Sequence, residues 1–314
     1  MTIEVVEPGL LTSVQDAIGR GGWRHVGVPA GGAADAWSAR LANRLVGNPD
    51  DVPLLEVTLL GPTVRTLDAA RVALVGSLDA TVDGLPMPAV TARQLRPGSV
   101  MQLTDGRDAR AYLAFGGGIV VERVLGSAST DLRTGFGGVE GRALRAGDRL
   151  EVGPASRTPP RRWQGSERTG PVRILEGPHA DRALIEALTH AAWQVGHQSD
   201  RAGVRLQGPG LPTSGGEIGS IGLPAGAIQV PHDGSPIVAL ADRPVTGGYP
   251  VPAVVIGADI GRVARLRAGD ELRFASVSLA EARQALRRAE DELADLETLE
   301  APGTDELGWA GSHG

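Results

Sequence analysis

A glycine-rich segment near the N-terminus, Ser13–Asp35, contains the first side chains that could do chemistry. Within it, Asp16 could orient Arg20 for bidentate contact with a carboxylate or phosphate. The dipeptide Gly31-Gly32 comes just before a predicted helix, where unpaired backbone N–H groups and the helix dipole favour an anion. The alternative is that the segment forms turns and a structural ion pair. Residue spacing alone leaves both interpretations open.

A second polar group, Gly126–Asp131, follows a predicted strand that runs into three glycines at Phe115–Ile119. The backbone N–H groups of such a glycine run can form an anion site. Three hydroxyl side chains beside Asp131 could bind a polar, planar substrate, or they could form a hydroxyl-rich turn. The segment is not a Gly-x-Ser-x-Gly motif, so a nucleophile elbow is not predicted.

A third polar group lies in the C-terminal part of the chain. Four of its side chains could read the N–H and C=O groups of an amide by hydrogen bonding: Gln229, Asp242, Thr246 and Tyr249. His232 and Asp233 are adjacent, but neighbouring residues on a strand point in opposite directions, so His232 is a weak candidate for a catalytic base. The other His residues lack ligand spacing, and no metal site is predicted.

Two residue types are missing from the 314-residue chain, and their absence excludes several mechanisms. Without Cys there is no thiol nucleophile, thiolate zinc site or disulfide. All 31 basic residues are Arg, which excludes a Schiff-base lysine, a Walker A lysine, a Ser–Lys pair and a biotin-carrying lysine. The net charge of −6 and the aromatic content of 3% give no reason to expect a nucleic-acid or membrane partner.

Many short strands must position these groups, because 45 Gly and 22 Pro are spread along the chain and favour tight turns. A glycine-centred turn followed by alternating apolar residues occurs three times, at Leu95–Leu103, Leu144–Val152 and Leu266–Phe274. It could reflect an internal duplication or only a common turn. Other predicted strands are Arg71–Val75, Ala109–Phe115, Val172–Leu175, Ile237–Leu240 and Val251–Ile256.

Three helices are predicted from apolar residues at helical spacing. The first covers Ala33–Leu45 and the second covers Asp181–Ala192. In the third, Ser278 and Glu281 form a capping box, which marks the start of the helix. We expect one apolar face of this helix to cover its own domain: Ala282, Leu286, Ala289, Leu293 and Leu296.

The length of the chain predicts about two domains. A stretch with several Arg and few apolar residues, Pro154–Gly170, is interpreted as a linker. The predicted division is therefore residues 1–155, residues 171–277, a C-terminal helix over residues 278–300 and a flexible tail over residues 301–314. The sequence has no recognisable signal peptide and no apolar run of about 20 residues, so we expect a cytoplasmic protein.

Six motifs occur in a fixed order within residues 1–277: Ser13–Asp35, Asn43–Pro49, Leu55–Thr58, Gly126–Asp131, Gln229–Pro231 and Thr246–Pro250. Together they resemble the biotin-dependent carboxyltransferase subdomain A/B family, also called the allophanate hydrolase subunit 2 family. This family includes the C subunit of 5-oxoprolinase, a sporulation kinase-inhibitor antagonist and part of the carboxyltransferase region of urea carboxylase. The resemblance implies a mainly β fold, with two cyclophilin-like β-barrel domains in tandem, a few short helices and a C-terminal helix.

The resemblance also implies a function. It indicates a component similar to the C subunit of an ATP-dependent 5-oxoprolinase complex, a hydrolase that opens the cyclic amide of 5-oxoproline to glutamate. Activity would require a subdomain C/D-type partner, similar to the B subunit of 5-oxoprolinase or to allophanate hydrolase subunit 1, together with the A subunit of 5-oxoprolinase. ATP would be bound by, or shared with, one of these partners.

Two alternatives stay open. The first is the carboxyltransferase component of a biotin-dependent urea or amide carboxylase. It would need biotin carried by another protein, because this chain has no Lys. The second is a non-catalytic regulatory protein that binds a kinase-inhibitor-like partner without turnover.

On the leading interpretation, four carboxylates orient groups or move protons: Asp16, Asp35, Asp131 and Asp242. Nine side chains bind substrate: Gln15, Arg20, Ser127, Ser129, Thr130, Arg201, Gln229, Thr246 and Tyr249. Of these, Arg20 and Arg201 would stabilise carboxylate or oxyanion charge. The chain departs from the family pattern at Ala128, where the family usually has Arg between two serines, so one anion-binding side chain is missing.

Overall fold

The structure, a computed structural model, describes residues 1–165, 168–212 and 218–299. These residues are mainly β, with 23 strands and four α-helices, so the mainly β fold expected from the sequence is confirmed. The predicted tail over residues 301–314, and the last residue of the predicted C-terminal helical region, lie outside the described residues.

Two antiparallel sheets form the N-terminal half, residues 1–155. Their strands are β1 Thr2–Glu7, β2 Leu11–Gln15, β3 Leu54–Thr58, β4 Thr63–Thr66, β5 Ala70–Val75, β6 Leu78–Val82, β7 Leu85–Pro86, β8 Ala92–Leu95, β9 Val100–Gly106, β10 Arg110–Phe115 and β11 Arg149–Glu151. The six-stranded sheet has the order β11-β1-β4-β9-β6-β7, and the five-stranded sheet has the order β2-β3-β10-β5-β8. One apolar core contains side chains from both sheets, which therefore pack face to face.

Strand β10 shows why the prediction of strands from apolar runs works here. All six of its residues are buried, because β3 and β5 flank it and its sheet is covered on both faces. One face joins the core between the sheets, and the other packs against a helix, Ala36–Leu45. The predicted strand Ala109–Phe115 is confirmed to within one residue.

An eight-stranded sheet dominates the C-terminal half, residues 171–277. The remaining strands of the chain are β12 Arg161–Arg162, β13 Val172–Glu176, β14 Trp193–Val195, β15 Gly203–Gln207, β16 Ile221–Gly222, β17 Ala227–Gln229, β18 Ile237–Ala239, β19 Thr246–Gly247, β20 Ala253–Val255, β21 Glu271–Leu272, β22 Phe274–Ser276 and β23 Glu297–Thr298. The large sheet has the order β21-β14-β15-β18-β17-β20-β13-β22, and its pairs are antiparallel except β13–β22.

The stretch interpreted as a linker contains strand β12, which pairs with β23 near the end of the described chain. The linker is therefore partly ordered by a pairing with a segment 135 residues away, and no local sequence pattern reveals such a pairing. Among the described strands, none is shared between the sheets of the two halves, and the exact domain boundaries stay a prediction.

The four α-helices are α1 Ala36–Leu45, α2 Arg182–His190, α3 Ile260–Arg265 and α4 Leu279–Ala294, and there are 3-10 turns at Arg24–Val26 and Gly257–Asp259. Helix α1 begins three residues later than predicted, because the Asp35 side chain accepts from the Ser38 backbone N and caps the helix at that point. Helix α3 was not expected, since six residues are too few for a helical period to appear in the sequence.

The predicted capping box of α4 is confirmed: Ser278 and Glu281 satisfy each other's backbone N–H groups. The predicted apolar face is wrong at Leu286, which is 48% exposed. The buried stripe consists mainly of small residues, Ala282, Ala285, Ala289 and Leu293. Alanines allow the helix to lie close to the 3-10 turn at Gly257–Asp259, and Leu286 lies outside this stripe.

Candidate functional site at the junction of the two halves

The carboxylate of Asp16 is the centre of a buried hydrogen-bond cluster that follows β2. Its Oδ1 accepts from the backbone N of Gly19 at 2.6 Å and from the Ser129 hydroxyl at 3.1 Å. Its Oδ2 accepts from the Ser127 hydroxyl at 2.7 Å and from the backbone N of Ala128 at 2.8 Å. Because Asp16 is only 2% exposed, these four donors replace water in stabilising its charge. This geometry favours a positioning role for Asp16.

The hydroxyls of the second predicted group point into the protein. Ser127 and Ser129 donate to Asp16, and Thr130 donates to the carbonyl of Val14 at 2.9 Å. All three side chains are fully buried. They hold the two glycine-rich segments together, and their direct contact with a substrate stays a prediction.

Arg20 lies beside this cluster and is only 1% exposed. Its Nη2 donates to the carbonyl of Ser129, and its guanidinium stacks over the ring of Phe136 at 4.4 Å. Among the described residues, Arg20 forms no ion pair with Asp16, so the predicted orientation of Arg20 by Asp16 is not seen. The reason is that both oxygens of Asp16 are already occupied by closer donors.

Two nitrogens of Arg20, Nε and Nη1, are buried without a hydrogen-bond partner in the described part of the chain. Burial lowers the pKa of Arg20, while the charges of Asp131, Asp16 and Asp242 oppose that shift. A buried donor without an acceptor costs free energy, so such a group indicates a ligand or a water. An anion or a carbonyl oxygen would satisfy these N–H groups.

Because Gly31 has no side chain, Nη1 of Arg20 can lie close to its backbone. A Cβ at this position would lie 3.1 Å from Nη1, and the residue has a φ of +62°, which disfavours other side chains. The glycine-rich segment thus allows the backbone to approach the guanidinium closely, and its approach to a ligand stays a prediction.

Gln15 and Asp131 add acceptor atoms to the cluster. Nε2 of Gln15 donates to Ser13 and Thr130, whereas its Oε1 is buried with no partner among the described residues. Asp131 uses Oδ1 to accept two backbone N–H groups, at 3.0 and 3.1 Å. The cluster therefore combines unpaired donors on Arg20 with an unpaired acceptor on Gln15, a set that matches the carbonyl or carboxylate oxygen and the N–H of a small amide.

A second buried network links the two halves through Arg201. This side chain pairs with Glu56 of β3, donates to both oxygens of Asp242 at 2.7 and 3.0 Å, and donates to the carbonyl of Gly32 at 2.6 Å. Each nitrogen of its guanidinium therefore donates at least one hydrogen bond. The predicted role of Arg201 in binding substrate charge is less well supported than that of Arg20, and its geometry favours a structural role.

The charges in this network shift one another's pKa. Burial opposes ionisation of Glu56, but Arg201 and Arg110 outweigh it and hold the pKa of Glu56 below its usual value. Burial raises the pKa of Asp242, although Arg201 opposes the shift. Burial also raises the pKa of Tyr112, which lies in the same network, well above its usual value.

Asp35 joins the same network through its backbone. Tyr112 accepts from the backbone N of Asp35 at 2.7 Å and donates to Glu56 at 3.0 Å. The Asp35 carboxylate caps α1 and lies 3.3 Å from Nε of Arg265. The Asp35 carboxylate therefore occupies the start of α1, which favours the structural alternative over an anion site there.

The remaining predicted residues lie on the rim of the C-terminal half. Gln229 ends β17 and contacts Gly247, and Thr246 is exposed on β19. Tyr249 is 37% exposed and packs edge-on against His232, with ring centroids 6.0 Å apart. No described hydrogen bond connects these side chains to the Arg20 cluster, so the structure does not unite all the predicted residues in one site.

Three residues of the network were missed in the sequence: Glu56, Tyr112 and Arg110. Each is buried on a strand of the five-stranded sheet. A carboxylate at the centre of the apolar strand Leu54–Thr58 was the available signal, because a buried charge requires a partner. Its partner, Arg201, lies 145 residues away, and local spacing cannot reveal that.

A cleft of about 1130 Å³ lies between the halves, next to these networks. Gly31, Asp35 and α1 contribute to one part of its wall, and α3 contributes to another. Its cationic lining residues are Arg107, Arg168, Arg243, Arg262 and Arg265. A cleft between domains is a common location for a small-molecule site. Among the described residues, no cluster of three or more His, Asp or Glu could hold a metal ion.

A family model for the carboxyltransferase domain, subdomain A and B, matches residues 26–276. The chain belongs to this family. It is 39% identical to the C subunit of 5-oxoprolinase from Escherichia coli over 90% of this chain and 94% of that protein. It is 33% identical to the C subunit of 5-oxoprolinase from Haemophilus influenzae over 92% and 95% of the two chains.

Solved structures of the family agree with the fold. The crystal structure of the Kluyveromyces lactis urea carboxylase superposes with a TM-score of 0.88 at 30% identity, covering 93% of this chain and 29% of that chain. The K. lactis urea amidolyase gives the same TM-score, and this chain covers 20% of it. The cyclophilin-like β-barrel fold that the resemblance implied is confirmed by these structures. None of the helices in the described ranges is both long and apolar enough to cross a membrane.

Proposed function

We propose that this chain is the C-type component of an ATP-dependent 5-oxoprolinase, which hydrolyses the cyclic amide of 5-oxoproline to glutamate. The observation that carries the proposal is the extent of the similarity. The chain aligns with 94% and 95% of two proteins named as the C subunit of 5-oxoprolinase, whereas it aligns with only 18% of a urea amidolyase from Lachancea kluyveri.

The Arg20 cluster supports this substrate class. 5-Oxoproline carries a carboxylate, a ring carbonyl and a ring N–H, and the cluster offers unpaired donors on Arg20 and an unpaired acceptor on Gln15. In the hydrolysis, water adds a hydroxyl to the ring carbonyl carbon, the C–N bond breaks and the nitrogen gains a proton. Arg20 would stabilise the negative charge that develops on the carbonyl oxygen.

Asp131 is the carboxylate of the cluster with the fewest described internal partners. Both of its described side-chain bonds involve Oδ1, whereas both oxygens of Asp16 are fully engaged. We therefore assign proton movement to Asp131 and positioning to Asp16. ATP would be bound by, or shared with, a partner protein of the complex, since the sequence has neither a Walker A motif nor a lysine.

An exposed apolar surface beside the cluster supports the need for partners. Ile18, Trp23 and Val26 are 69%, 39% and 59% exposed, and they belong to the same glycine-rich segment as Asp16 and Arg20. Neighbouring exposed apolar side chains of this kind are typical of protein–protein contacts. A subdomain C/D-type partner would cover this segment.

Reconstitution tests the proposal. The chain is mixed with the A and B subunits of a 5-oxoprolinase from its own genome, and glutamate formation from 5-oxoproline is followed with and without ATP. We expect turnover only when all three proteins and ATP are present. Assembly without turnover would refute the proposal, and tight binding of the partner alone would then favour the regulatory alternative.

A second candidate is a carboxyltransferase that works with carboxybiotin on urea or a similar amide. The superposition on the K. lactis urea carboxylase, with a TM-score of 0.88, favours it. Biotin would arrive on another protein, because this chain has no lysine to carry it. Urea-dependent decarboxylation of carboxybiotin by the assembled complex would support this candidate against the first.

A further inference from the structure

Two arginines outside the Arg20 cluster converge on one backbone carbonyl. Arg24, from the glycine-rich segment of the N-terminal half, donates from Nη2 to the carbonyl of Leu223 at 2.5 Å and to that of Val245 at 3.0 Å. Arg243, from the C-terminal half, donates from Nε to the same Leu223 carbonyl at 2.9 Å. The two guanidinium groups are therefore neighbours across the junction of the halves.

This pair of like charges has no carboxylate partner in the described ranges. Arg243 is only 9% exposed, and its other bonds go to main-chain carbonyls, with Leu240 at 2.9 Å. Asp242 is adjacent in sequence, but it directs both oxygens to Arg201. Burial and the charge of Arg24 lower the pKa of Arg243 to about 10, consistent with an incompletely compensated charge.

The unpaired edge of Arg243 is accessible from the cleft. Arg243 lines the cleft together with Ala241, Ala225 and Gly31. Its Nε and Nη1 donate to carbonyls. Its Nη2 makes no hydrogen bond to a described residue and is not fully buried. A donor that is free and reachable, on a side chain held rigidly by its other contacts, is pre-organised for an acceptor.

We propose that Arg243, on the wall of the cleft, and the neighbouring Arg24 form an oxyanion-binding site, which takes the phosphoryl or carboxylate group of a small ligand. The donors left for such a group are Nη2 of Arg243 and the Nε and Nη1 of Arg24, which make no hydrogen bond to a described residue. Two adjacent positive charges attract both phosphoryl and carboxylate oxygens, and arginine donates hydrogen bonds to both kinds of group. The site is separate from the Arg20 cluster, and it does not depend on the proposed 5-oxoprolinase activity, because binding requires only this chain.

Calorimetric titration of the purified chain tests the site. Inorganic phosphate and ATP are the phosphoryl probes, and acetate and 5-oxoproline are the carboxylate probes. We expect at least one probe to bind, and the Arg243→Gln and Arg24→Gln variants to bind it at least about tenfold more weakly, as the loss of a charge-assisted hydrogen bond does. The control is Arg182→Gln, which removes the same charge from a side chain 92% exposed on α2.

Circular dichroism and melting curves show whether each variant is folded. Arg243→Lys is the second variant, since it keeps the charge, and we expect intermediate affinity. Binding of phosphate and ATP alone identifies the phosphoryl group as the ligand, and binding of acetate and 5-oxoproline alone identifies the carboxylate. The proposal is overturned if no probe binds the wild type, or if folded Arg24 and Arg243 variants bind as well as Arg182→Gln.

Discussion

Arg20 keeps a positive charge inside the protein although Nε and Nη1 find no hydrogen-bond partner among the described residues. Its neighbour Asp16 is equally buried but receives four hydrogen bonds. Unpaired buried groups are rare in folded proteins, and where they persist they commonly serve a ligand. At the scale of single residues, Arg20 is therefore a binding group and Asp16 is a positioning group.

Replacing Arg20 separates these roles. We expect Arg20→Met to lower kcat/KM of the reconstituted complex about 10- to 100-fold, because a charge-assisted hydrogen bond to the substrate is worth about 1.5–3 kcal/mol. The free energy of unfolding should change by less than about 1.5 kcal/mol, since the bond to the Ser129 carbonyl and the stacking on Phe136 are lost while two buried, unpaired nitrogens are removed. Steady-state kinetics and urea denaturation give both values.

The matched control is Arg123→Met, which removes a 42% exposed arginine that lies 3.9 Å from the Asp16 carboxylate. This variant should keep wild-type kinetics, because an exposed charge at that distance is screened by water. If Arg20→Met also retained full kcat/KM, Arg20 would not contact the substrate.

The sequence identified residue types well but could not assign their roles. Asp16, Ser127 and Ser129 were predicted as site residues, and in the structure they lie in one hydrogen-bond cluster. The sequence did not show that these side chains hydrogen-bond to one another, because the contacting pairs are more than 100 residues apart in the chain. Glu56 was missed for the same reason, since its partner comes from the other half of the chain.

At the scale of elements, α1 and α3 meet at a glycine. The Asp35 carboxylate at the start of α1 lies against Gly261 of α3 so closely that a Cβ there would overlap the carboxylate. Arg265, one turn further along α3, lies 3.3 Å from the same carboxylate. A small residue in α3 thus allows the N-cap of α1 and the ion pair to form together.

Gly261→Ala should therefore destabilise the protein by about 1–3 kcal/mol, as overpacking of a tight contact does, although alanine is the better helix former. The control is Gly257→Ala in the preceding 3-10 turn, where an added Cβ would meet nothing within 4 Å. We expect this control to be neutral or slightly stabilising in urea denaturation. Equal stability of the two variants would contradict the packing argument.

Elements with strong local signals could be predicted, and those fixed by distant contacts could not. The capping box of α4 and the apolar run of β10 are local, and both predictions were confirmed. The strand β12 exists because it pairs with β23, and α3 is held between the halves. Neither is encoded by a pattern long enough to recognise in the sequence.

At the scale of the whole molecule, buried polar contacts fasten the two halves together. Arg201 of the C-terminal half pairs with Glu56 of the N-terminal half, and the Ala109 backbone N donates to the Arg265 carbonyl at 2.7 Å. The candidate site and the cleft both lie along this junction. A fixed junction keeps Arg24 and Arg243, which come from different halves, in constant relative positions, as a binding site formed by both halves requires.

This junction should make stability depend on pH through Glu56. Because the pKa of Glu56 is held below its usual value of about 4.3, its contribution is complete at neutral pH and is lost as the pH falls through the lowered pKa. We expect Glu56→Gln to cost about 3–5 kcal/mol at pH 7, since it leaves the buried Arg110 without its carboxylate and Arg201 with Asp242 alone. The difference from wild type should shrink steadily below about pH 4.

Urea denaturation of both proteins from about pH 3 to about pH 8 measures this difference, because the range runs from below the usual pKa of Glu to neutral pH. The control is Asp148→Asn, which breaks an ion pair with Arg142 inside the N-terminal half. The pKa of Asp148 is also lowered, by its hydrogen bond to Arg142, but this pair is partly exposed and should contribute only about 1 kcal/mol. A pH-independent cost of Glu56→Gln would mean that packing, and not the charge of Glu56, fastens the two halves.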